Sequence, residues 1–324
     1  SDWSSDVCSS DLINIPTITM TTIGIFCSDD WANYGYELAA SLMTTNKNII
    51  AAKLNSHVFN YQHQLPIVSA DELVLLAKKC DIILLVHSAA ELIQYIPNET
   101  PIIPIHTGTR YRNEHIQLNN LFHLSRCCFT DQCEFMPLAE NIHYIGTPIN
   151  IDMIPKFGHE PRQPYIIAHY PSNADVKGTQ KILDMLQDIN PNKYILHHST
   201  DRVSHAEQLQ RINKCDIYIE LFQPTLNGKP YGCFGVTAFE AAAAGKIVIT
   251  QNINPKAYTD VFGTSPFILT ESESDFKFKV NYCLSMPQKE LTFRQTNNYN
   301  AMKERHSYKA TGERIIELIN DYYA

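Results

Sequence analysis

Gly232-Cys-Phe-Gly235-Val-Thr-Ala-Phe-Glu240-Ala-Ala-Ala-Ala-Gly245-Lys-Ile-Val-Ile-Thr250 is the most informative stretch of the chain. Gly232 and Gly235 let backbone approach a ligand closely, because no Cβ stands in the way. The spacing predicts a helix from about Val236. Its free N–H groups and the positive end of its dipole would then form an anion site. Glu240 falls about one turn into that helix. An acid on an otherwise apolar face is a costly choice unless something polar meets it, and vicinal hydroxyls of a pentose are suitable partners. The run of alanines lets the helix lie close to a sheet. Gly245 ends it, and Ile247–Ile249 reads as the next buried strand.

Outward from this unit, short apolar runs alternate with helix-period segments. Upstream are strands at Ile23–Cys27, Asn48–Leu54, Ile82–His87 and Ile102–His106, with helices over Tyr34–Met43 and Ala70–Lys79; Ser69 would cap the second helix. Leu121–Phe129 and Ile142–Ile145 complete a first block. Residues 146 to 164 hold Gly146, Pro148, Pro155, Gly158, Pro161 and Pro164, which reads as a linker. The alternation then restarts with strands at Tyr165–Tyr170, Tyr194–His198, Asp216–Phe222 and Lys246–Thr250. Helices over Gly178–Ile189, Ser204–Asn213 and Val236–Ala244 lie between them, and a mostly helical tail follows Ser272. The expected fold class is α/β, with two Rossmann-like doubly wound domains facing a cleft. The domains are expected at 20–147 and 165–324, joined by 148–164, with the last helix packing back on the first domain. Ser1 to Leu12 resembles a translated sequencing-adapter tail, and a fresh start fits at Met20. Residues 1–19 are therefore expected to be a non-native or disordered tail.

Composition narrows the function. The chain has 324 residues, 44% of them apolar and 19% charged, which suits a globular protein with a full core. A net charge of -8, from 26 basic and 34 acidic residues, argues against a nucleic-acid partner. No apolar run approaches the about 20 residues that span a bilayer. No basic secretory leader is visible. The nine cysteines show no CxxC pair. Cys127, Cys128 and Cys133 near His123 read as buried, reduced thiols rather than as metal ligands. The expected location is the cytoplasm.

The quoted segment resembles the nucleotide-sugar motif of GT-B glycosyltransferases of the family-4 kind, E-P-F-G-hydrophobic-x-x-x-E-A-x-A-x-G-x-P-V. Phe234, Gly235, Glu240, Ala241, Ala243, Gly245 and Val248 match it. Glu240 corresponds to the second Glu of the family's E-x7-E pair, which holds the ribose. The first Glu, a donor-sugar contact, is replaced by Gly232. A second match is the strand-loop-helix Ile166-Ile-Ala-His-Tyr-Pro-Ser172-Asn173-Ala-Asp-Val-Lys177-Gly178-Thr179. In the family such a Lys neutralises the donor diphosphate, with an Arg a few residues before it; here Ser172 and Asn173 stand in the loop instead. The resemblance implies a donor site of Ser172, Asn173, Lys177, Gly178, Thr179, Gly232, Phe234, Gly235, Val236 and Glu240.

For the acceptor side the resemblance points to the loop after the first strand. Gly35 could serve as its glycine, Asp29, Asp30 and Asn33 could meet sugar hydroxyls, and Trp31 could stack on a ring. His106 matches the family's strand-end His, facing sugar and acceptor and assisting proton transfer. His87 ends the preceding strand in the same way and is the weaker candidate. Arg110 and Arg112 would suit an anionic acceptor or a phosphate. The catalytic set implied is His106, Lys177 and Glu240. The expected activity is transfer of a sugar from a nucleotide-diphosphate sugar to a glycan, lipid or small-molecule acceptor, with retention. Lys177 and the helix amides would do the work of a metal, so no metal and no cofactor beyond the co-substrate is expected. The alternatives are a GT-B-like protein that binds nucleotide sugar or glycan without transfer, and a GT-B sugar epimerase.

Overall fold

The computed structural model describes residues 22–56, 61–155, 161 and 163–323. The tail read at 1–19 lies outside them, as do 156–160 and 162 of the expected linker. Two parallel sheets carry the fold. The first has strands β1 (Thr22–Cys27), β2 (Asn48–Lys53), β3 (Ile82–Val86), β4 (Ile102–His106), β5 (Cys128–Thr130) and β6 (Ile142–Tyr144), in the order β2-β1-β3-β4-β5-β6. The second has β7 (Tyr165–His169), β8 (Tyr194–His198) and β9 (Ile217–Ile219), then β12 (Ile247–Thr250) and β13 (Ile268–Leu269), in the order β13-β12-β9-β7-β8. A two-stranded hairpin, β10 (Thr225–Leu226) and β11 (Lys229–Pro230), projects between β9 and β12 in sequence. Strands such as Ile82–Val86 are apolar at every position because helices cover both faces of a parallel sheet.

Helices α1 (Tyr34–Met43), α2 (Ala70–Ala77) and α3 (Gly108–Leu121) flank the first sheet. Ser69 caps α2 in a full capping box with Glu72. In the second half come α4 (Ala174–Lys177), α5 (Thr179–Gln187), α6 (His205–Asn213), α7 (Val236–Ala243), α8 (Pro255–Phe262), α9 (Glu273–Ser285), α10 (Gln288–His306) and α11 (Tyr308–Tyr323). The helix expected over Gly178–Ile189 is two elements, because left-handed Gly178 (φ +67°) separates α4 from α5. Residues 108–121, to which the sequence pattern assigns no element before Leu121, form α3. Only Tyr111 and Leu118 of α3 are buried, too few to mark a helix period.

The chain crosses between the sheets twice. The first crossing follows β6, and the second joins α10 to α11. At their meeting point the Ile149 N–H donates to the His306 carbonyl at 2.7 Å. The buried His306 ring bonds to the Thr147 carbonyl and to the Tyr258 hydroxyl, each at 3.0 Å. Past this point α11 returns to the first sheet. Its Ile315 and Ile319 share a core with Leu38 and Leu42 of α1 and Ile23 and Ile25 of β1. The C-terminal helix thus belongs physically to the opposite end of the sequence.

Candidate functional site

In both sheets the strand order reverses beside the first strand, and open α/β sheets bind ligands at such switch points, beyond the strands' carboxyl ends. The second sheet's switch point lies between β7 and β9. The loop after β7 delivers Tyr170, Pro171 and Ser172 and the end of α4 delivers Lys177, while α7 delivers Val236, Thr237 and Glu240. All of them line one cleft of about 590 Å³ between the sheets. Lys177 and Glu240, 63 residues apart in sequence, therefore share a crevice, and the start of α7 opens into it.

Neither charge stands alone. Glu240, buried, accepts a hydrogen bond from His205 Nε2 at 2.5 Å. His205 begins α6, which Ser204 caps. Burial favours its neutral ring, yet the bond to Glu240 and the charges of Glu240 and Glu37 prevail and raise its pKa. Lys177 pairs with Glu220, a wholly buried carboxylate just past β9. The second oxygen of Glu220 accepts from Thr250 Oγ1 at 2.8 Å. A Cβ at Gly235 would sit 2.4 Å from Glu220 Oε1 and 2.7 Å from Lys177 Nζ. The glycine is what lets the pair lie against the start of α7.

The other donor-side candidates divide. Ser172 and Val236 face the cleft. Asn173 is consumed as the cap of α4, its side chain accepting from the Asp175 and Val176 N–H groups. Thr179 is buried against His169 at 2.9 Å. Phe234 lies in an aromatic cluster with Phe239, Tyr258 and Phe267, so it is core rather than lining. Gly232 sits at φ +145°, where an added Cβ would meet Gln251 Nε2 at 2.7 Å.

On the first-sheet side, Trp31 and Asn33 line the cleft. Asp30 does not: it is buried, accepting from the Gly35 N–H at 2.6 Å and the Tyr36 N–H at 3.2 Å, and so satisfies the first turn of α1. Gly35 packs on that carboxylate, and Asp29 lies outside the lining. Burial sets His106 apart. It bonds to Ser88 Oγ at 2.8 Å, stacks on Tyr111 at 3.9 Å and has its pKa pushed down to about 3 by desolvation. It is a buried group and is not part of the cleft lining. Arg110 pairs with Glu91 at 2.7 Å. Arg112 pairs with Glu134 and lies over the Tyr231 ring at 5.1 Å. Both guanidiniums are engaged outside the cleft lining.

The sequence alone did not single out several residues that line the same space. Tyr36, Glu37, Tyr61 and His63 come from the first half, Asp201, Arg202 and His205 from the second, and Tyr308 from the start of α11. Tyr308 Oη donates to Glu37 Oε2 at 2.5 Å. Burial, opposed by that bond and reinforced by the Glu240 charge, lifts the Glu37 pKa to about 7. Glu37 and Tyr308 are 271 residues apart, so no local pattern could link them. Glu220 did carry a signal: it is an acid at the carboxyl end of an apolar parallel strand, where ligand-side groups cluster.

Two Rossmann-like units with a ligand-sized cleft between the carboxyl ends of their strands define the GT-B fold, and this chain has it. No family model matches the chain, and no curated protein matches it in sequence. Solved structures do resemble it. One is an alpha-glucosyltransferase in complex with UDP and a 13-mer DNA, at TM-score 0.66 and 12% identity, covering 93% of this chain and 100% of that one. Another is Anabaena Alr3699/HepE in complex with UDP-glucose, at TM-score 0.67 and 13% identity, covering 93% and 99%. A third is sucrose-phosphate synthase from Thermosynechococcus elongatus, at TM-score 0.60 and 10% identity, covering 93% and 98%.

Proposed function

We propose that this protein is a glycosyltransferase of the family-4 kind, working in the cytoplasm, that moves a sugar from a nucleotide-diphosphate sugar to a hydroxyl acceptor. The carrying observation is that Lys177, Glu240 and the start of α7 open into one cleft. An ammonium group and helix N-terminal amides suit a diphosphate, and a carboxylate held by His205 suits a ribose. The UDP and UDP-glucose named in the similar structures favour a uridine donor. As the glycosidic bond breaks, charge builds on the departing diphosphate, and Lys177 with the α7 amides would stabilise it without a metal. Retention follows from the family resemblance.

Trp31, Tyr36 and Tyr61 on the acceptor wall favour a ring-bearing acceptor such as a glycan. Arg110 and Arg112 are engaged elsewhere, which disfavours an anionic one. The acidic balance of the chain disfavours nucleic acid. Among the described residues no helix is long and apolar enough to cross a membrane.

Gly232 favours a second reading, in which nucleotide sugar is bound without transfer. Thermal shift with UDP, GDP and ADP, followed by mass analysis of products from UDP-sugars and glycan acceptors, separates the two. UDP should raise the melting temperature of wild type, and Glu240→Ala should lose most of that shift. Glycosylated product establishes transfer, and UDP binding without turnover establishes the second reading. Free sugar released without acceptor would instead point to an epimerase. Glu240→Ala binding UDP as well as wild type does would sink all three.

A further inference from the structure

The backbone at position 232 has no room for the acid that the motif leads one to expect. Gln251 fills the space an added Cβ would need, and its amide is fixed by the Gln223 and Tyr231 carbonyls at 2.8 and 2.6 Å. A carboxylate nevertheless reaches this side of the cleft from another element. Glu220 stands behind Lys177, not in front of it. Its backbone N–H is held by the Ile249 carbonyl at 2.9 Å, one carboxylate oxygen by Lys177 and the other by Thr250.

We infer that Glu220 is a positioning residue for the donor, an inference that rests on a nucleotide diphosphate occupying the cleft. A lysine ammonium on its four-carbon stem otherwise turns toward water. Glu220, with both oxygens bonded and its side chain wholly buried, cannot follow it. Lys177 keeps a partly exposed ammonium at the cleft wall with two further N–H donors to offer. Anchoring one donor pre-organises the other two toward the diphosphate and lowers the ordering cost of binding. Gly235 makes the arrangement sterically possible.

Calorimetric titration of UDP and uridine into wild type, Glu220→Gln, Lys177→Ala and the double variant tests this. Glu220→Gln should weaken UDP about three- to tenfold, leave uridine unchanged, and add nothing in the Lys177→Ala background. Tighter UDP binding by Glu220→Gln would mean that the pair masks the ammonium, and would overturn the inference. So would an equal loss for uridine, or a loss that persists without Lys177. Should Glu220→Gln not fold, Thr250→Val, which frees only the far oxygen, should show the same selectivity at smaller size, and its failure to do so counts equally against the inference. A wild type that ignores UDP refutes the donor reading itself. A wild type that binds UDP while the variants fail these expectations refutes Glu220 alone.

Discussion

A methyl group placed on Gly235 would press against the Lys177–Glu220 pair from 2.4 and 2.7 Å. Both contacted atoms are side-chain ends rather than backbone, so the backbone can stay in place and the ion pair must open. Opening it leaves a buried carboxylate short of its cation. Gly235→Ala is therefore expected to lower UDP affinity about tenfold and stability by about 1–3 kcal/mol. Titration and urea denaturation check this, and unchanged affinity would show that the pair is not part of the donor site. The glycine, the lysine and Glu240 were legible in the sequence because a motif spaces them. Their pairings were not. His205 gains meaning only once α6 lies beside the cleft; Glu220 was marked by its place at a strand's carboxyl end, but its pairing with Lys177 shows only in the fold; and Asp30 looked like a ligand group until its bonds to the α1 amides were seen. His106 misled for a related reason. A strand-end histidine looks the same in sequence whether it faces a cleft or lies, as here, beneath Tyr111.

Elements were easier to read where one face pays its way in burial or a cap marks the start. Helices α2 and α6 start at the caps Ser69 and Ser204, and α1 and α7 show themselves by burial alone; α3, mostly exposed and uncapped by a side chain, offers neither signal. The cap of α2 gives a control for the site variants. Ser69 Oγ accepts from the Glu72 N–H at 3.3 Å, and Glu72 Oε2 accepts back from the Ser69 N–H at 2.8 Å. Ser69→Ala should cost about 1 kcal/mol. Because α2 contributes nothing to the cleft lining, UDP affinity should not change. A change in affinity in this variant would mean that stability losses alone mimic site effects, and the other substitutions would need rereading.

Across the described residues, three buried histidines in separate places should each favour unfolding as pH falls. Desolvation lowers His106 in the first sheet to about 3, His169 in the second to about 4 and His306 at the crossing to about 3. A depressed pKa means stability lost as pH falls below the ordinary value near 6.5. Three such rings alone would give a slope of about 4 kcal/mol per pH unit between pH 5 and 6. Two carboxyls oppose them. Burial raises Glu37 and Asp131 each to about 7, so they hold protons in the folded state that the unfolded chain has released. Their contribution is present at low pH and lost as pH rises through 7. At pH 5 to 6 the unfolded chain thus binds about three protons at the histidines and the folded chain about two at the carboxyls. The difference is about one, and stability should rise with pH by only about 1–2 kcal/mol per unit, the fraction added by lowered His143 being partly offset by raised His205. Glu37→Gln should steepen that slope by about 1 kcal/mol per unit, less any screening where the Glu37 carboxyl meets the cleft water. The buried Asp131→Asn should add about 1.4 kcal/mol per unit. Urea denaturation at pH 5, 5.5 and 6 measures the slope directly. A slope near 4 in wild type, or one that neither substitution changes, would show that these carboxyls are ionised in the folded protein.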